Sequence, residues 1–238
     1  MTTSLYRAIT ALFAISLILS TFAVPTPAQK KSRLQDATKR SGQAAETFTE
    51  IMNIREKAIP QELLDKAEAI AVFPGVIKAA FIVGGRGGKG VISRRVNSGW
   101  TAPAFFNLGG GSFGAQIGAQ KNDYIFLIMN EDGVKGLLED KFEMGGEAGV
   151  VAGPIGREVA ASTNTTLDAG ILSYSRSKGA FIGAALKGVV ISPDNDLNEA
   201  VYGKKAKDIL LSNPIPLAQM PAGVRTFPRT LARYSAKR

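Results

Sequence analysis

Hydrophobic and polar positions follow a helical spacing near the start of this chain and a strand-like spacing over most of the rest. Between residues 30 and 59, small or apolar residues recur every three or four positions, which is the period of one helix face. They are Leu34, Ala37, Ser41, Ala44, Phe48, Ile51 and Met52. A second helix is predicted to begin at Pro60, because proline is favoured at the first helical position.

Short apolar stretches then alternate with glycine-rich turns from about Ile70 to Ile191, which predicts many short strands. In segment 112–120, apolar residues alternate strictly with glycine and polar residues, which is the period of a strand. Segment 124–129 is continuously apolar, as in a strand buried on both faces. Asn130 is predicted to cap a short helix. The other predicted strands are 76–83, 90–96, 104–108, 146–151, 167–175 and 180–191, and the later predicted helices are 196–202 and 204–211.

These elements predict an α+β protein in which β-structure dominates. The expected architecture is an antiparallel, glycine-rich sheet that closes toward a barrel, with N-terminal helices and short C-terminal helices. The predicted segments are a signal peptide at 1–28, an amphipathic helical segment at 29–66, a β-rich domain at 67–220 and a basic tail at 221–238. The tail is expected either to lie on the domain or to remain mobile.

The first residues have the features of a secretory signal. Arg7 is the only charge before Lys30, an apolar run extends from Ala8 to Val24, and Ala28 ends a small-residue cleavage motif. The alternative is an uncleaved membrane anchor, although the run is short for a span of about 20 residues. We therefore expect an exported protein, periplasmic or extracellular, that is peripheral to a membrane.

Composition limits the chemistry that this chain can perform. It contains no Cys and no His, which excludes a thiolate nucleophile, an imidazole base and a Cys/His zinc site. Its carboxylates form no recognisable catalytic set. Gly109, Gly111 and Gly114 lead into a predicted strand, whereas a dinucleotide-binding pattern must open a helix. The sequence therefore predicts a non-enzymatic protein with no catalytic residue, no metal site and no cofactor.

Positive charge indicates an anionic partner. The chain has a net charge of +9, and removal of residues 1–28 takes away Arg7 and no acidic residue, which leaves +8. In an exported protein this surplus favours phospholipid headgroups, and no nucleic acid partner is expected. The segment 84–90 is predicted to be a flexible hairpin with Arg86 and Lys89 at its tip. With Arg94 and Arg95 on the next strand, these cations either bind a headgroup or are simply solvated.

Five separated motifs stand out in this chain: AEAIAVFPGVIKAAFIVGGRGGKGVISRR at 67–95, GWTAPAFFNLGGGSFGAQIGAQ at 99–120, GPIGRE at 153–158, SYSRSKGAFIGAALKG at 173–188 and AVYG at 200–203. Together they resemble the SYLF domain, also called the actin-patch lipid-binding domain. They occur in the order of that family, and the match covers about residues 34–220. The resemblance implies binding to phosphoinositides or other anionic phospholipids and, in eukaryotic members, contact with actin filaments.

The resemblance also implies a role for the first helix, because a basic amphipathic N-terminal helix is associated with lipid contact in eukaryotic members. That helix corresponds to residues 30–55 here. An exported bacterial member would meet neither actin nor phosphoinositides, so its lipids would be anionic glycerophospholipids of the envelope. The acidic residues Asp36, Glu46 and Glu50 dilute the positive charge of this helix. The implied lipid-contacting residues are Lys30, Lys31, Arg33, Lys39 and Arg40.

Two alternatives to a lipid-surface protein stay open at this point. One is a protein-interaction or scaffold module with an actin-like or envelope protein as its partner. The other is a lipid carrier with an internal cavity, although core packing is the more common role of buried aromatic residues. The phenylalanines that would line such a cavity are Phe105, Phe106, Phe113, Phe126 and Phe181.

Overall fold

The computed structural model describes residues 27–54, 58–80, 83–97, 99–113, 118–145, 149–156, 169–184, 186 and 188–235. Residues 33–238 form one compact unit, and residues 1–32 are grouped apart from it. The predicted signal peptide lies outside the described residues up to residue 26. Within the described part of the chain, no helix combines the length and apolar character needed to cross a bilayer.

Four of the five described α-helices lie where the sequence predicts a helix, whereas the predicted helix 204–211 corresponds to a π-helical turn and the helix at Thr226–Tyr234 falls in the predicted basic tail. Asn130 caps the third helix, because its side-chain oxygen accepts a hydrogen bond from the Gly133 backbone N–H at 2.8 Å. The α-helices are α1 (Pro27–Met52), α2 (Gln61–Lys66), α3 (Glu131–Leu137), α4 (Asn195–Tyr202) and α5 (Thr226–Tyr234). A π-helical turn occupies Asp208–Ser212, and 3-10 turns occupy Leu217–Gln219 and Ala222–Arg225.

The strands that the structure describes form a ten-stranded sheet that nearly closes into a barrel, which confirms the predicted fold class. They are β1 (Ala69–Ala80), β2 (Val83–Val96), β3 (Gly99–Trp100), β4 (Ala104–Phe113), β5 (Gly118–Ile128), β6 (Phe142–Met144), β7 (Val150–Ala152), β8 (Ile171–Ser177), β9 (Ala180–Gly183) and β10 (Val189–Pro193). The order is β6-β10-β4-β2-β1-β5-β8-β7, with β3 on β2 and β9 on β8. The described pairings are antiparallel except for β7 with β8.

Residues 84–90 are not the predicted hairpin tip. They lie inside β2, where Arg86 is opposite Lys78 of β1 and Lys89 is opposite Asn107 of β4. A Cβ atom on Gly90 would overlap the Phe73 ring and would come 2.5 Å from the Val72 carbonyl oxygen. Glycine is needed at this position for close packing within the sheet and not for a turn.

The alternating segment 112–120 is not one strand, contrary to the prediction. β4 ends at Phe113, β5 begins at Gly118, and β2 and β1 lie between them in the sheet; residues 114–117 lie outside the described part. The predicted strand 180–191 is also divided, into β9 on β8 and β10 on β4. A period of two persists across the end of one strand and the start of another, so it does not mark where the chain turns.

The apolar stripe of α1 faces the core, as its spacing predicts. Ala37, Ala44, Phe48 and Ile51 are buried, and the buried Ser41 hydroxyl donates a hydrogen bond to the Val224 carbonyl at 2.8 Å. The same core contains four of the five phenylalanines that were considered as a cavity lining: Phe105, Phe106, Phe126 and Phe181. The Phe113 side chain is outside the described part of the structure.

The C-terminal segment lies on the domain as far as Ser235. Phe227 and Leu231 of α5 are fully buried. The Trp100 indole N–H donates a hydrogen bond to the Ser235 hydroxyl at 3.1 Å. Because burial of two large apolar side chains stabilises a docked helix, this segment is held in place although its sequence is basic.

Candidate functional site

A groove with a volume of about 710 Å³ runs between α1 and the sheet face formed by β2, β1, β5 and β8. We call it the α1 groove. Charged side chains dominate its described lining, with six cations and four carboxylates. The cations are Lys39, Arg40, Lys89, Lys121, Arg176 and Lys178, and the carboxylates are Asp36, Glu46, Glu50 and Asp123.

A bulge in β1 shapes the floor of the α1 groove. The register of β1 with β5 shifts between Phe73 and Val76, and Gly75 adopts a φ of +58°, which favours glycine. The Gly75 N–H donates a hydrogen bond to the Asp123 carboxylate at 2.7 Å. A Cβ atom on Gly75 would come 2.5 Å from Cε of Lys121, so glycine leaves the space through which the Lys121 side chain passes.

Arg40 ties α1 to the start of α4. Its guanidinium contacts the carboxylates of Asp36 at 2.7 Å and Asp194 at 2.8 Å. Asp194 is the N-cap of α4 and accepts a hydrogen bond from the Leu197 N–H at 3.2 Å. Arg40 is 5% exposed, and its charge is neutralised by the largely buried carboxylate of Asp194 and the more exposed carboxylate of Asp36.

The titration of Asp36 follows from these contacts. Burial alone would raise the pKa of Asp36, but the hydrogen bond from Arg40 and the charges of Arg40, Lys89 and Arg33 lower this pKa below its usual value of 3.8. Because the pKa of Asp36 is lower in the folded than in the unfolded protein, the ionised carboxylate makes its full contribution to stability at pH values above the unfolded-state pKa. That contribution is lost as the pH falls through the folded-state pKa.

Arg176 of β8, like Arg40, bridges two carboxylates and lies at the other end of the α1 groove. It contacts the Glu50 carboxylate of α1 at 2.6 Å and the Asp123 carboxylate of β5 at 2.7 Å. Burial would lower the pKa of Arg176, but these two carboxylates raise it above its usual value. The Arg176 charge is therefore compensated, and it connects β8, β5 and α1.

Three lysines and the carboxylate of Glu46 in the α1 groove form no ion pair among the described residues. Lys39, Lys121 and Lys178 are exposed, and none has a carboxylate within ion-pair distance among the residues that the structure describes. Lys178 (φ +48°) and Gly179 (φ +81°) form the two-residue turn between β8 and β9, a geometry typical of a tight hairpin. Lys89 is also exposed but lies 3.8 Å from Asp36.

Of the nine cations predicted to contact lipid, three line the α1 groove: Lys39, Arg40 and Lys89. Lys30 and Lys31 are exposed in the first turns of α1, in the unit that ends at Ser32. Arg33 is half-buried, and Arg86 lies within β2 opposite Lys78.

Arg94 and Arg95 line a different groove, of about 540 Å³, together with Trp100 and residues 214–217. Arg95 is 8% exposed. It donates hydrogen bonds to the carbonyls of Leu64 at 2.6 Å and Ala67 at 3.0 Å, and it stacks over the Trp100 ring at 4.5 Å. Arg95 therefore holds α2 against β2 and does not face the solvent.

Sequence reasoning did not identify Lys121, Lys178, Asp123 and Arg176 as parts of one site. Lys178-Gly179 is a recognisable turn pair, so a lysine at a hairpin tip was predictable there. The position of that tip beside Lys121 follows only from the pairing of β5 with β8.

Comparison with known proteins finds a matching family model and relatives that align with most of the chain. A family model described as "Ysc84: Las17-binding protein actin regulator" matches residues 109–234, more than half of the chain. "LAS seventeen-binding protein 3" of Saccharomyces cerevisiae is 32% identical over 176 residues, which are 71% of this chain and 38% of that protein. "SH3 domain-containing YSC84-like protein 1" of Homo sapiens is 30% identical over 188 residues, 76% of this chain and 55% of that protein.

The chain spans 38% of the length of the yeast relative and 55% of the human one. The description of the family names a binding protein and actin regulator, and not an enzyme. The matched region includes most of the motifs that resemble the SYLF domain, so that resemblance is confirmed. This chain therefore belongs to the Ysc84 family, the family of the SYLF domain.

Proposed function

We propose that this chain binds anionic phospholipid surfaces without catalysis, and that Lys39, Lys121 and Lys178 of the α1 groove contact the headgroups. The observation that carries the proposal is that these three lysines are exposed and have no ion-pair partner among the described residues. The two arginines of the same groove are neutralised by carboxylates. Arg40 and Arg95, which were predicted to contact lipid, are left out because their guanidinium groups are buried.

The expected strength of this interaction is moderate and depends on salt. Each lysine near an anionic surface contributes about 1 kcal/mol, so three contribute about 3 kcal/mol, a factor of roughly 100 in affinity. The Debye length is about 10 Å at 0.1 M salt. Since the three side chains are exposed, high salt screens most of this attraction.

The first prediction concerns the triple variant Lys39→Met, Lys121→Met, Lys178→Met. Methionine keeps an unbranched side chain and removes the charge. We expect the partition of the protein onto phosphatidylglycerol vesicles to fall about 100-fold at low salt, as measured by flotation. Vesicles of phosphatidylcholine should bind neither protein.

A matched control variant carries Lys141→Met, Lys205→Met and Lys207→Met. These lysines are also exposed and lie outside the α1 groove, so both variants have the same net charge. The control should keep most of its vesicle binding. An equal loss in the two variants would show that net charge alone acts and would refute the assignment to the groove.

A protein-interaction module is the second candidate function. The names of the relatives support it, because one is named a LAS seventeen-binding protein and another contains an SH3 domain. An actin-like or envelope protein is the partner expected under this alternative. Absence of flotation with any vesicle, together with co-sedimentation of a defined protein partner, would favour it over the lipid surface.

We also propose that the protein is exported and cleaved near Ala28. Cleavage there would remove the first two residues of α1 and leave the compact unit that begins at Arg33 intact. N-terminal sequencing of the protein isolated from its own cells should begin at or near Gln29. A protein that retains residues 2–28 and stays in the cytosol would contradict export.

A further inference from the structure

Two cations face each other on the sheet surface opposite the α1 groove. Lys78 of β1 pairs directly with Arg86 of β2. The neighbouring residue Ile77 pairs directly with Lys121 of β5, which lines the groove. Paired residues share a face and successive residues point to opposite faces, so Lys78 and Arg86 lie on the face away from the groove.

The pair has no compensating carboxylate among the residues that the structure describes. The Cβ atoms of directly opposite residues are about 5 Å apart, and like charges in this arrangement destabilise a sheet. Lys78 and Arg86 are both half-buried, and neither makes an ion pair with any described residue. The Nε atom of Arg86 is buried and has no hydrogen-bond partner. A buried donor without a partner costs free energy, which a bound anion would offset.

Residues of the two outer strands flank the pair. Gln120 of β5 is directly opposite Lys78 and shares its face. On the other side, Gly110 of β4 is directly opposite Arg86. A Cβ atom on Gly110 would overlap the Gly188 carbonyl, so the backbone of residue 188 lies close over Gly110.

We propose that Lys78 and Arg86 form a binding site for the phosphate group of a ligand. The guanidinium fork of Arg86 presents two parallel N–H donors to two phosphate oxygens, and Lys78 adds a point charge beside them. The phosphate belongs either to a lipid headgroup or to a soluble phosphate compound. This site does not depend on the lysines of the α1 groove, so the two proposals can fail separately.

The test uses the Nε–H resonance of Arg86, assigned by its loss in Arg86→Lys. Inorganic phosphate should shift this resonance of the full chain saturably, whereas chloride at the same ionic strength should not. Lys78→Met should weaken phosphate binding at least tenfold, and the exposed control Lys207→Met should leave it unchanged. A response to chloride as large as that to phosphate, or an unchanged affinity in Lys78→Met, would overturn the proposal.

A second variant covers the case in which Lys78→Met does not fold, as judged by circular dichroism. Arg86→Lys keeps the charge and removes the fork, so calorimetric titration with phosphate should also show at least tenfold weaker binding. Unchanged binding in this variant would equally overturn the site. Flotation of the variants with phosphatidate vesicles then identifies the source: a loss of flotation assigns the phosphate to a lipid, and normal flotation assigns it to a soluble compound.

Discussion

Replacement of Arg40 by methionine is expected to lower the free energy of unfolding by about 3–5 kcal/mol, because one partner of a buried ion pair is removed. Arg40 is 5% exposed and bridges Asp36 and Asp194. Methionine fills much of the same volume. It leaves the Asp194 carboxylate, whose side chain is 14% exposed, without its counter-charge at the start of α4.

Urea denaturation of Arg40→Met beside Lys39→Met provides the comparison. Lys39 is the preceding residue of α1 and is exposed, so its substitution should change the free energy of unfolding by about 0.5 kcal/mol or less. Folded Arg40→Met should still bind anionic vesicles, because its charge is neutralised inside the fold. A stable Arg40→Met variant that has lost vesicle binding would instead give Arg40 the headgroup contact that the sequence predicts.

The second large effect is expected for Gly90→Ala, which should destabilise the protein by about 3 kcal/mol, as overpacking in a core does. Gly90 is buried in β2, opposite Phe106 of β4. The new methyl group would overlap the Phe73 ring and approach the Val72 carbonyl oxygen of β1 to 2.5 Å. A side chain can rotate away, but the carbonyl belongs to the neighbouring strand, so the sheet itself must shift.

Gly87→Ala is the matched control, since Gly87 lies in the same strand and a Cβ atom there meets nothing within 4 Å. This variant should be neutral or more stable by about 0.5–1 kcal/mol, because alanine loses less backbone entropy on folding. Chemical denaturation of both variants measures the difference. If both substitutions had the same effect, close packing at Gly90 would not be the reason for glycine there. Phe73→Leu should partly rescue Gly90→Ala, as a double-mutant cycle would show.

Local features were predicted well because their causes lie within a few residues of each other. The helical spacing of Ala37, Ala44, Phe48 and Ile51 predicts the buried face of α1. Asn130 has the cap position that its side chain suits. The C-terminal segment was less certain from its sequence: its basic residues suggest a mobile tail, whereas the burial of Phe227 and Leu231 holds α5 in place.

The candidate site was predicted only in part, because its charges are compensated by residues distant in the sequence. Lys39, Arg40 and Lys89 were all predicted to contact lipid and all line the α1 groove. Arg40 is neutralised by Asp194, which lies 154 residues further along the chain. Lys121 and Lys178 join Lys39 through the pairing of β5 with β8 and the position of α1. The chemical type of each residue is therefore predictable, but its availability for a ligand is not.

By itself, the sequence determined the fold class, the family, the helical face of α1 and the excess of positive charge. These properties depend on residue type and on spacing within short segments. Only the tertiary structure decided that Gly90 serves close packing, that 112–120 divides between two strands, and which cations are neutralised. The physical reason is that strand pairing and ion pairing join residues that are far apart in the chain, and the energies that select them arise only once the sheet has formed.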